Sequence, residues 1–418
     1  MLNIPDELQR LVVETEAELQ GVFTQLNEVS IFNHQKVLTA FTQNRISDYH
    51  LKGSSGYGYH DLGREAIEAC FACIFRAEKA LVRNQIVSGT HAIALCLFGV
   101  LRPGDHLLSV TGDPYDTLHE VIGITEAVPG SLAEWGVEFS SVPLTAQGLP
   151  SYELMTEAMR PNTKMIYIQR SRGYAWRPSI NVGQIKEIID LVRSVNPNVV
   201  VFVDNCYGEL VEKLEPTEVG ADLVAGSLIK NLGGSLAPTG GYVVGRADLV
   251  DAAANRWTAP GIGDAVGATF NFNAAFLQGL YMAPKTVSEA IKGAVFASAL
   301  LNKLGFQTSP AATEHRTDLI QAVKLNSPEA MIAFCRGLQK ASPIDGHVRP
   351  EPGDMPGYED QVIMAGGTFT QGATMEMSAD GPIRPPYIIY FQGGVSYEYI
   401  KIGLLSAISE MPLNMSEI

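Results

Sequence analysis

Five apolar residues in a row, Val199-Val200-Val201-Phe202-Val203, run directly into a carboxylate, Asp204. The run is too short and too β-branched for a helix, and its unbroken apolar character suits a parallel strand covered on both faces. Such a strand needs neighbours on each side and helices above and below, which commits the chain to an α/β architecture. Asp204 then emerges at the carboxyl edge of the sheet, where open α/β sheets bind ligands.

From about Ala80 to Ala283 strand-like runs alternate with helical stretches, and strands are expected at Lys164–Gln169, Val199–Asp204, Leu223–Leu228 and Gly241–Gly245. The expected core is therefore a mostly parallel sheet with helices on both faces. At 418 residues the chain exceeds the span of a single core, roughly 250–300 residues, so at least two domains are expected. Residues 1–60 read as an N-terminal helical arm and inter-subunit segment, 61–284 as the large α/β domain, and 285–418 as a long helix followed by a small α+β domain. Within the arm, Pro5–Gln43 reads as two helices split near Asn27–Ile31. The long helix is expected over Lys285–Leu304, and the small sheet is expected to include Val362–Ala365, Thr374–Met377 and Ile388–Phe391.

Past the next expected strand comes Ala225-Gly226-Ser227-Leu228-Ile229-Lys230-Asn231. A lysine at one strand end and an aspartate at another form the pair that holds pyridoxal 5'-phosphate, the lysine as a Schiff base and the carboxylate against the pyridinium nitrogen. The plainer alternative is that Asp204 caps a turn and Lys230 lies on the surface. A third signal is Ser88-Gly89-Thr90, which opens the Ala/Leu-rich helical stretch that follows. Free amides and the helix dipole favour an anion there, Gly89 allows close approach, and the two hydroxyls can donate. An ordinary N-cap is the competing reading.

Taken in order, Ser88-Gly89-Thr90, Asp204 and Lys230 resemble the fold type I pyridoxal phosphate enzymes, which include aminotransferases and the cystathionine and methionine lyases. That likeness implies a role for Tyr207, three residues after Asp204, at the cofactor's phenolic oxygen. It also implies that Tyr115, which follows a strand at His106–Val110, stacks on the pyridine ring; packing on the sheet is the alternative. The chain is more closely similar to a bacterial family of aluminium resistance or methionine gamma-lyase-like proteins. The stretches that carry this are Gly56 to Arg64, Gln169-Arg170-Ser171-Arg172-Gly173-Tyr174, Asp204 to Glu209, and Lys230-Asn231-Leu232-Gly233-Gly234 followed by Ala237 to Tyr242. The main lyases carry two hydroxyl residues around the lysine that reach the phosphate. Here Ser227 is kept and Ile229 replaces the second, so the substrate does not carry over from them.

The resemblance implies further site residues. In the glycine-rich Gly53–Tyr59 segment and just beyond it, Tyr57, Tyr59 and Arg64 are candidate ligands for a neighbouring subunit's phosphate, Tyr57 foremost; a flexible linker is the alternative. The Thr258–Asp264 loop is expected near an active site, its own or across the dimer, with a plain connection between helices as the alternative. For the substrate, Arg384 and then Arg349 are expected to clamp the α-carboxylate, because a planar guanidinium matches two carboxylate oxygens; a surface ion pair is the alternative for Arg384. Ser171 joins them as a substrate-site candidate. A carbon–sulfur lyase acting on a sulfur-containing amino acid, of the methionine gamma-lyase or cystathionine beta-lyase type, is the activity this implies. Freed Lys230 serves as base at the α-carbon, and Tyr115, Tyr207 or a partner-chain tyrosine protonates the departing sulfur. An aminotransferase, and a cofactor-binding protein without turnover, stay open.

Net charge is -15 and the pI is near 5.0, which argues against nucleic acid and anionic membranes as partners. The opening Met1–Glu7 has no basic n-region or apolar core, and no apolar run approaches the roughly 20 residues of a bilayer span. The expectation is a cytoplasmic homodimer or homotetramer with shared active sites and a small-molecule amino-acid substrate. The five cysteines form an odd set, read as reduced thiols. Cys70-Phe71-Ala72-Cys73 lies in a helical pattern and reads as core packing. No carboxylate cluster with metal spacing is present, so no metal site is expected.

Overall fold

The structure, a computed structural model, describes residues 4–355 and 358–413. Met1–Asn3 of the opening segment and the last five residues of the expected small domain lie outside the described residues.

Seven strands make the large sheet: β1 (Lys79–Arg83), β2 (His106–Ser109), β3 (Glu138–Ser141), β4 (Thr163–Gln169), β5 (Val200–Asp204), β6 (Leu223–Ser227) and β7 (Gly241–Gly245). Their order is β1-β7-β6-β5-β4-β2-β3. Strands β2 to β6 run parallel to one another, and β7 is antiparallel to both its neighbours. The β5 run is uninterruptedly apolar because both faces are covered. Val201 and Val203 join the core under the helix Val182–Val195, while Val200 and Phe202 join the core on the opposite face with the helices Gly89–Val100 and Ala247–Trp257. The mostly parallel sheet with helices on both faces is as expected.

A second, antiparallel sheet of five strands follows: β8 (Gln307–Ser309), β9 (Gln321–Lys324), β10 (Val362–Ala365), β11 (Ser378–Pro382) and β12 (Ile388–Gln392), in the order β10-β11-β12-β9-β8. The strand expected at Thr374–Met377 is a turn. The Thr374 carbonyl accepts from the Met377 amide at 3.2 Å, and pairing begins one residue later, at Ser378.

Two helices differ from expectation. Asp6–Gln43 is one unbroken helix of 38 residues. No break occurs near Asn27 because tertiary packing overrides weak local propensity: the helix lies along Phe272–Lys303, and its buried Asn33 donates to the Leu210 and Glu212 carbonyls at 2.7 and 3.2 Å. The long helix Phe272–Lys303 begins 13 residues before the expected Lys285 and carries Pro284 inside it. Cys70 is buried in the helix Leu62–Phe75, its Sγ near the Ala40 carbonyl, and burial pushes its thiol up to about 12, in keeping with core packing. Among the described residues no helix is long and apolar enough to cross a membrane, and no group of histidine, cysteine and acidic side chains could hold a metal ion.

Candidate active site

Parallel pairing brings the ends of β4, β5 and β6 side by side, with Gln169 opposite Asp204 and Asp204 opposite Ala225. A cavity of about 400 Å³ opens at this edge, within the size range of small-molecule sites. Ser88, Gly89, Thr90, Tyr115, Ser171, Asp204, Tyr207, Ser227 and Lys230 all line it, residues scattered over more than a hundred positions of sequence.

Asp204 is buried. Its Oδ1 accepts from the Cys206 amide at 3.1 Å and its Oδ2 from the Tyr167 hydroxyl at 3.3 Å. Burial raises its pKa, opposed by the Cys206 amide and by the charge of Lys230. Lys230 follows β6 and opens a single turn, Asn231–Gly233. Its Nζ lies 3.8 Å from the centroid of the Tyr207 ring. Burial works against the Lys230 ammonium, but its contacts with Tyr207, Cys206 and Asp204 outweigh that and raise its pKa.

The helix Gly89–Val100 points its N-terminus at the cavity. Ser88 caps it by accepting from the His91 amide at 3.0 Å, and the Thr90 and Thr117 hydroxyls meet at 2.9 Å. A β-carbon at Gly89 would lie 3.1 Å from the Cys206 sulfur and 3.6 Å from the Ser227 β-carbon, so glycine keeps open a small cradle between helix, Cys206 and Ser227. A cradle of amides and hydroxyls at one end, a buried carboxylate in the middle and a lysine amine beside it form the donor set that pyridoxal phosphate requires. Tyr115 borders the same space; its amide donates to Gln169 Oε1 at 2.7 Å and its hydroxyl meets that of Tyr358 at 2.5 Å.

Several expected residues lie elsewhere. Arg384 is half-exposed and paired with Asp360 at 2.9 Å, on an adjoining cavity with Asp116 and Glu359, so its guanidinium is engaged outside the Lys230 cavity. Arg349 is exposed and does not line that cavity. Arg64 is buried, and its Nη1 donates to the Gly58 and Gly267 carbonyls at 2.7 and 2.9 Å, which ties down the glycine-rich loop. That loop is no free linker: the Asp61 carboxylate joins Ser54, Thr269 and Asn273. Tyr57 and Tyr59 pack on each other, with ring centroids 5.6 Å apart, and are exposed, Tyr57 at 73%. The Thr258–Asp264 loop lies beside β1 rather than on the cavity, with Asp264 bound to Lys79 and Arg83.

The cavity also holds residues that the motifs did not single out: Asp380, Tyr174, Tyr358, Tyr390 and Gln392. Asp380 is a buried acid on β11, whose sequence Ser378-Ala379-Asp380-Gly381-Pro382 has no apolar pattern that would have marked it. Arg172, between the cavity-lining Ser171 and Gly173, is buried, and among the described residues its guanidinium nitrogens have no hydrogen-bond partner.

The fold and this edge-of-sheet site define a fold type I enzyme. Comparison with known proteins narrows this: the methionine gamma-lyase family model matches residues 8–412, and the chain belongs to that family. It is 51% identical to the Bacillus subtilis (strain 168) protein YnbB over 97% of this chain and 96% of that one. The solved carbon-sulfur lyase involved in aluminum resistance from Clostridium novyi NT is 46% identical, superposes with a TM-score of 0.94, and is matched over 97% of this chain and 96% of its own. The L-methionine gamma-lyase of Treponema denticola is 29% identical over 54% of this chain and 51% of its own length.

Proposed function

We propose that the protein is a pyridoxal phosphate-dependent carbon–sulfur lyase acting on a sulfur-containing amino acid. The observation that carries this is the meeting of Lys230 and Asp204 in one buried cavity beside the Gly89 cradle, in a chain of the methionine gamma-lyase family. When bound, the cofactor would supply an electron sink for the electron pair left by removal of the α-proton, which lets a thiol leave from the β or γ carbon. Ser88, Gly89, Thr90 and Ser227 would hold its phosphate, Asp204 would pair with the ring nitrogen, and Tyr115 would border the ring. The Lys230 amine carries the proton to and from the α-carbon. Tyr207, against that amine, orients it and offers its hydroxyl to the leaving group. Of the candidates for the substrate carboxylate, Ser171 lines the cavity, and Arg172, next to it in sequence, has a buried guanidinium without a partner among the described residues that acts on the cavity-lining Tyr390, which favours this pair over Arg384 and Arg349.

The decisive assay incubates the purified holoenzyme with L-methionine, L-cystathionine and L-cysteine. Thiol and ammonia released without an acceptor keto acid are expected, and lost in Lys230→Ala. Product that depends on a keto acid would make the protein a transaminase, and no product with any of them would sink the lyase reading.

The exposure of the Tyr57–Tyr59 pair, away from the cavity of its own chain, supports a dimer or tetramer in which Tyr57 completes a neighbour's site. Active monomer on size-exclusion chromatography would overturn that. The same reading divides the chain into an arm at 1–60, a cofactor domain at 61–284 and a small domain at 285–418, to be tested by limited proteolysis.

A further inference from the structure

Tyr115, Tyr174, Tyr358, Tyr390 and Asp380 line the same cavity as Lys230 and give it an aromatic chamber wall. Tyr174 stands between Tyr358 and Tyr390, with ring centroids 5.6 and 5.2 Å away, and Tyr115 closes the inner side at 5.7 Å from Tyr174. In its wall sits Asp380 of β11, paired across the strands with Tyr390 of β12 and bonded by the Gln392 amide at 3.2 Å. Burial pushes the Asp380 carboxyl up to about 6, against the pull of the Tyr174 hydroxyl, the Lys230 charge and the Gln392 amide. At neutral pH it is therefore mostly ionised.

A carboxylate taken out of water is costly unless a positive charge meets it. Among the described residues, no lysine, arginine or histidine forms an ion pair with Asp380. The Lys230 charge acts on Asp380, but the proposed chemistry commits that amine to the α-carbon; the buried Arg172 acts on Tyr390 and forms no ion pair with Asp380 among the described residues. Aromatic rings around a carboxylate are how proteins receive an organic cation: the ring faces attract it and the acid neutralises it. A substrate carboxylate would be repelled by Asp380, and a plain methyl thioether would leave the acid buried and unmet.

We propose that the Tyr174–Tyr358–Tyr390 chamber and Asp380 bind a positive charge on the far end of the substrate side chain, so that the preferred substrates are cationic amino acids. This takes the Lys230 cavity as the amino-acid site of the proposed lyase. The charge can be an ω-ammonium or a sulfonium, which share the same recognition chemistry.

The test begins with binding, which needs no bond cleavage. L-Lysine and L-norleucine share a linear four-carbon side chain, to which lysine adds a terminal ammonium, and neither contains sulfur. Calorimetric titration of the holoenzyme near neutral pH is expected to show lysine bound about tenfold tighter than norleucine. In Asp380→Asn the ratio of the two affinities is expected to fall towards one. The matching turnover pair is S-(2-aminoethyl)-L-cysteine and S-propyl-L-cysteine; the first takes up one water and yields cysteamine, pyruvate and ammonia. A higher kcat/KM for the aminoethyl compound is expected. L-Methionine against S-methyl-L-methionine reads a charge at sulfur, and whichever cation shows the larger preference identifies the source.

Equal binding of lysine and norleucine by the wild type would overturn the proposal without recourse to any variant. So would an Asp380→Asn protein that weakens both ligands by the same factor, because Asp380 would then act on the α-amino group they share. Lysine preference with neither thioether cleaved would uphold the chamber and sink the lyase reading; cleavage of both thioethers at equal rates would do the reverse.

Discussion

The Lys230 amine sits 3.8 Å from the centre of the Tyr207 ring, and Tyr207 reaches that place with a left-handed backbone, φ 71°. A non-glycine residue in that region costs about 1–3 kcal/mol and persists only where the surroundings demand it, most often at functional sites. The ring holds the cation, and the hydroxyl is a separate asset. Tyr207→Phe keeps the first and removes the second. It is expected to retain the cofactor absorbance and to lose turnover by on the order of a hundredfold, read as steady-state thiol release. Unchanged turnover would remove the hydroxyl from the mechanism.

Asp204 gives a sharper test because Asn is nearly isosteric. The asparagine oxygen can still accept from the Cys206 amide, and its NH2 group can donate to the Tyr167 hydroxyl oxygen in place of accepting from it, so the fold and cofactor binding persist while the charge at the ring nitrogen goes. Turnover in Asp204→Asn is expected to fall by on the order of 10²–10³. A loss of cofactor affinity with normal turnover at saturating cofactor would point to a holding role alone.

Gly89→Ala places a methyl group in the cradle, 3.1 Å from the Cys206 sulfur. Alanine is favoured over glycine in a helix, so thermal stability should change little. Cofactor affinity is expected to weaken by about tenfold or more, equivalent to ~1.4 kcal/mol. Titration of the apoenzyme, followed by absorbance, measures it.

Beneath the site, Glu209 is fully buried, accepts from the Tyr242 hydroxyl at 2.9 Å, and has a second oxygen without a partner among the described residues. Burial pushes its carboxyl up to about 8 from an ordinary 4.5. Between those two values the native state keeps a proton that the unfolded chain has lost, so stability falls as pH rises, at about 1.4 kcal/mol per pH unit at most from this group. Glu209→Gln is expected to flatten the decline in melting temperature between about pH 5 and 8. An identical slope in the variant would show that Glu209 is ionised throughout.

The two arginines at issue separate cleanly. Arg384→Ala removes an exposed ion pair with Asp360, an interaction worth about 0–1 kcal/mol, and KM is expected to stay within about twofold. Arg172→Met removes a buried guanidinium next to Ser171 in sequence and is expected to raise KM by about tenfold to a hundredfold, with melting followed alongside to separate binding from folding. Reversal of the two results would restore Arg384 as the carboxylate clamp.

Much of this was legible in the chain. The Val199–Asp204 run, the Ser88–Thr90 turn and Lys230 each imply a strand end or a helix start by local rules, and parallel pairing puts all such ends on one edge. Tyr207 and Tyr115 came with their neighbours in sequence. The failures share a cause. Asn27–Ile31 looked like a helix break because what holds the helix there, such as the bonds of Asn33 to the Leu210 and Glu212 carbonyls, lies outside its own segment, and Thr374–Met377 looked like a strand because β propensity does not report a turn closed by backbone bonds. For Arg384 the sequence, an arginine near prolines, does not reveal its pairing with Asp360 outside the Lys230 cavity.

By itself, the sequence determined the class of fold and the placing of Lys230 and Asp204 at strand ends on one edge, on which the proposed cofactor chemistry rests, since these depend on short segments whose conformation is locally dictated. Only the tertiary structure decided what surrounds the substrate. Asp380, Tyr174, Tyr358, Tyr390 and Arg172 come from separate strands and loops of two sheets, and the burial that gives each its charge state and its role exists only after those sheets have packed together.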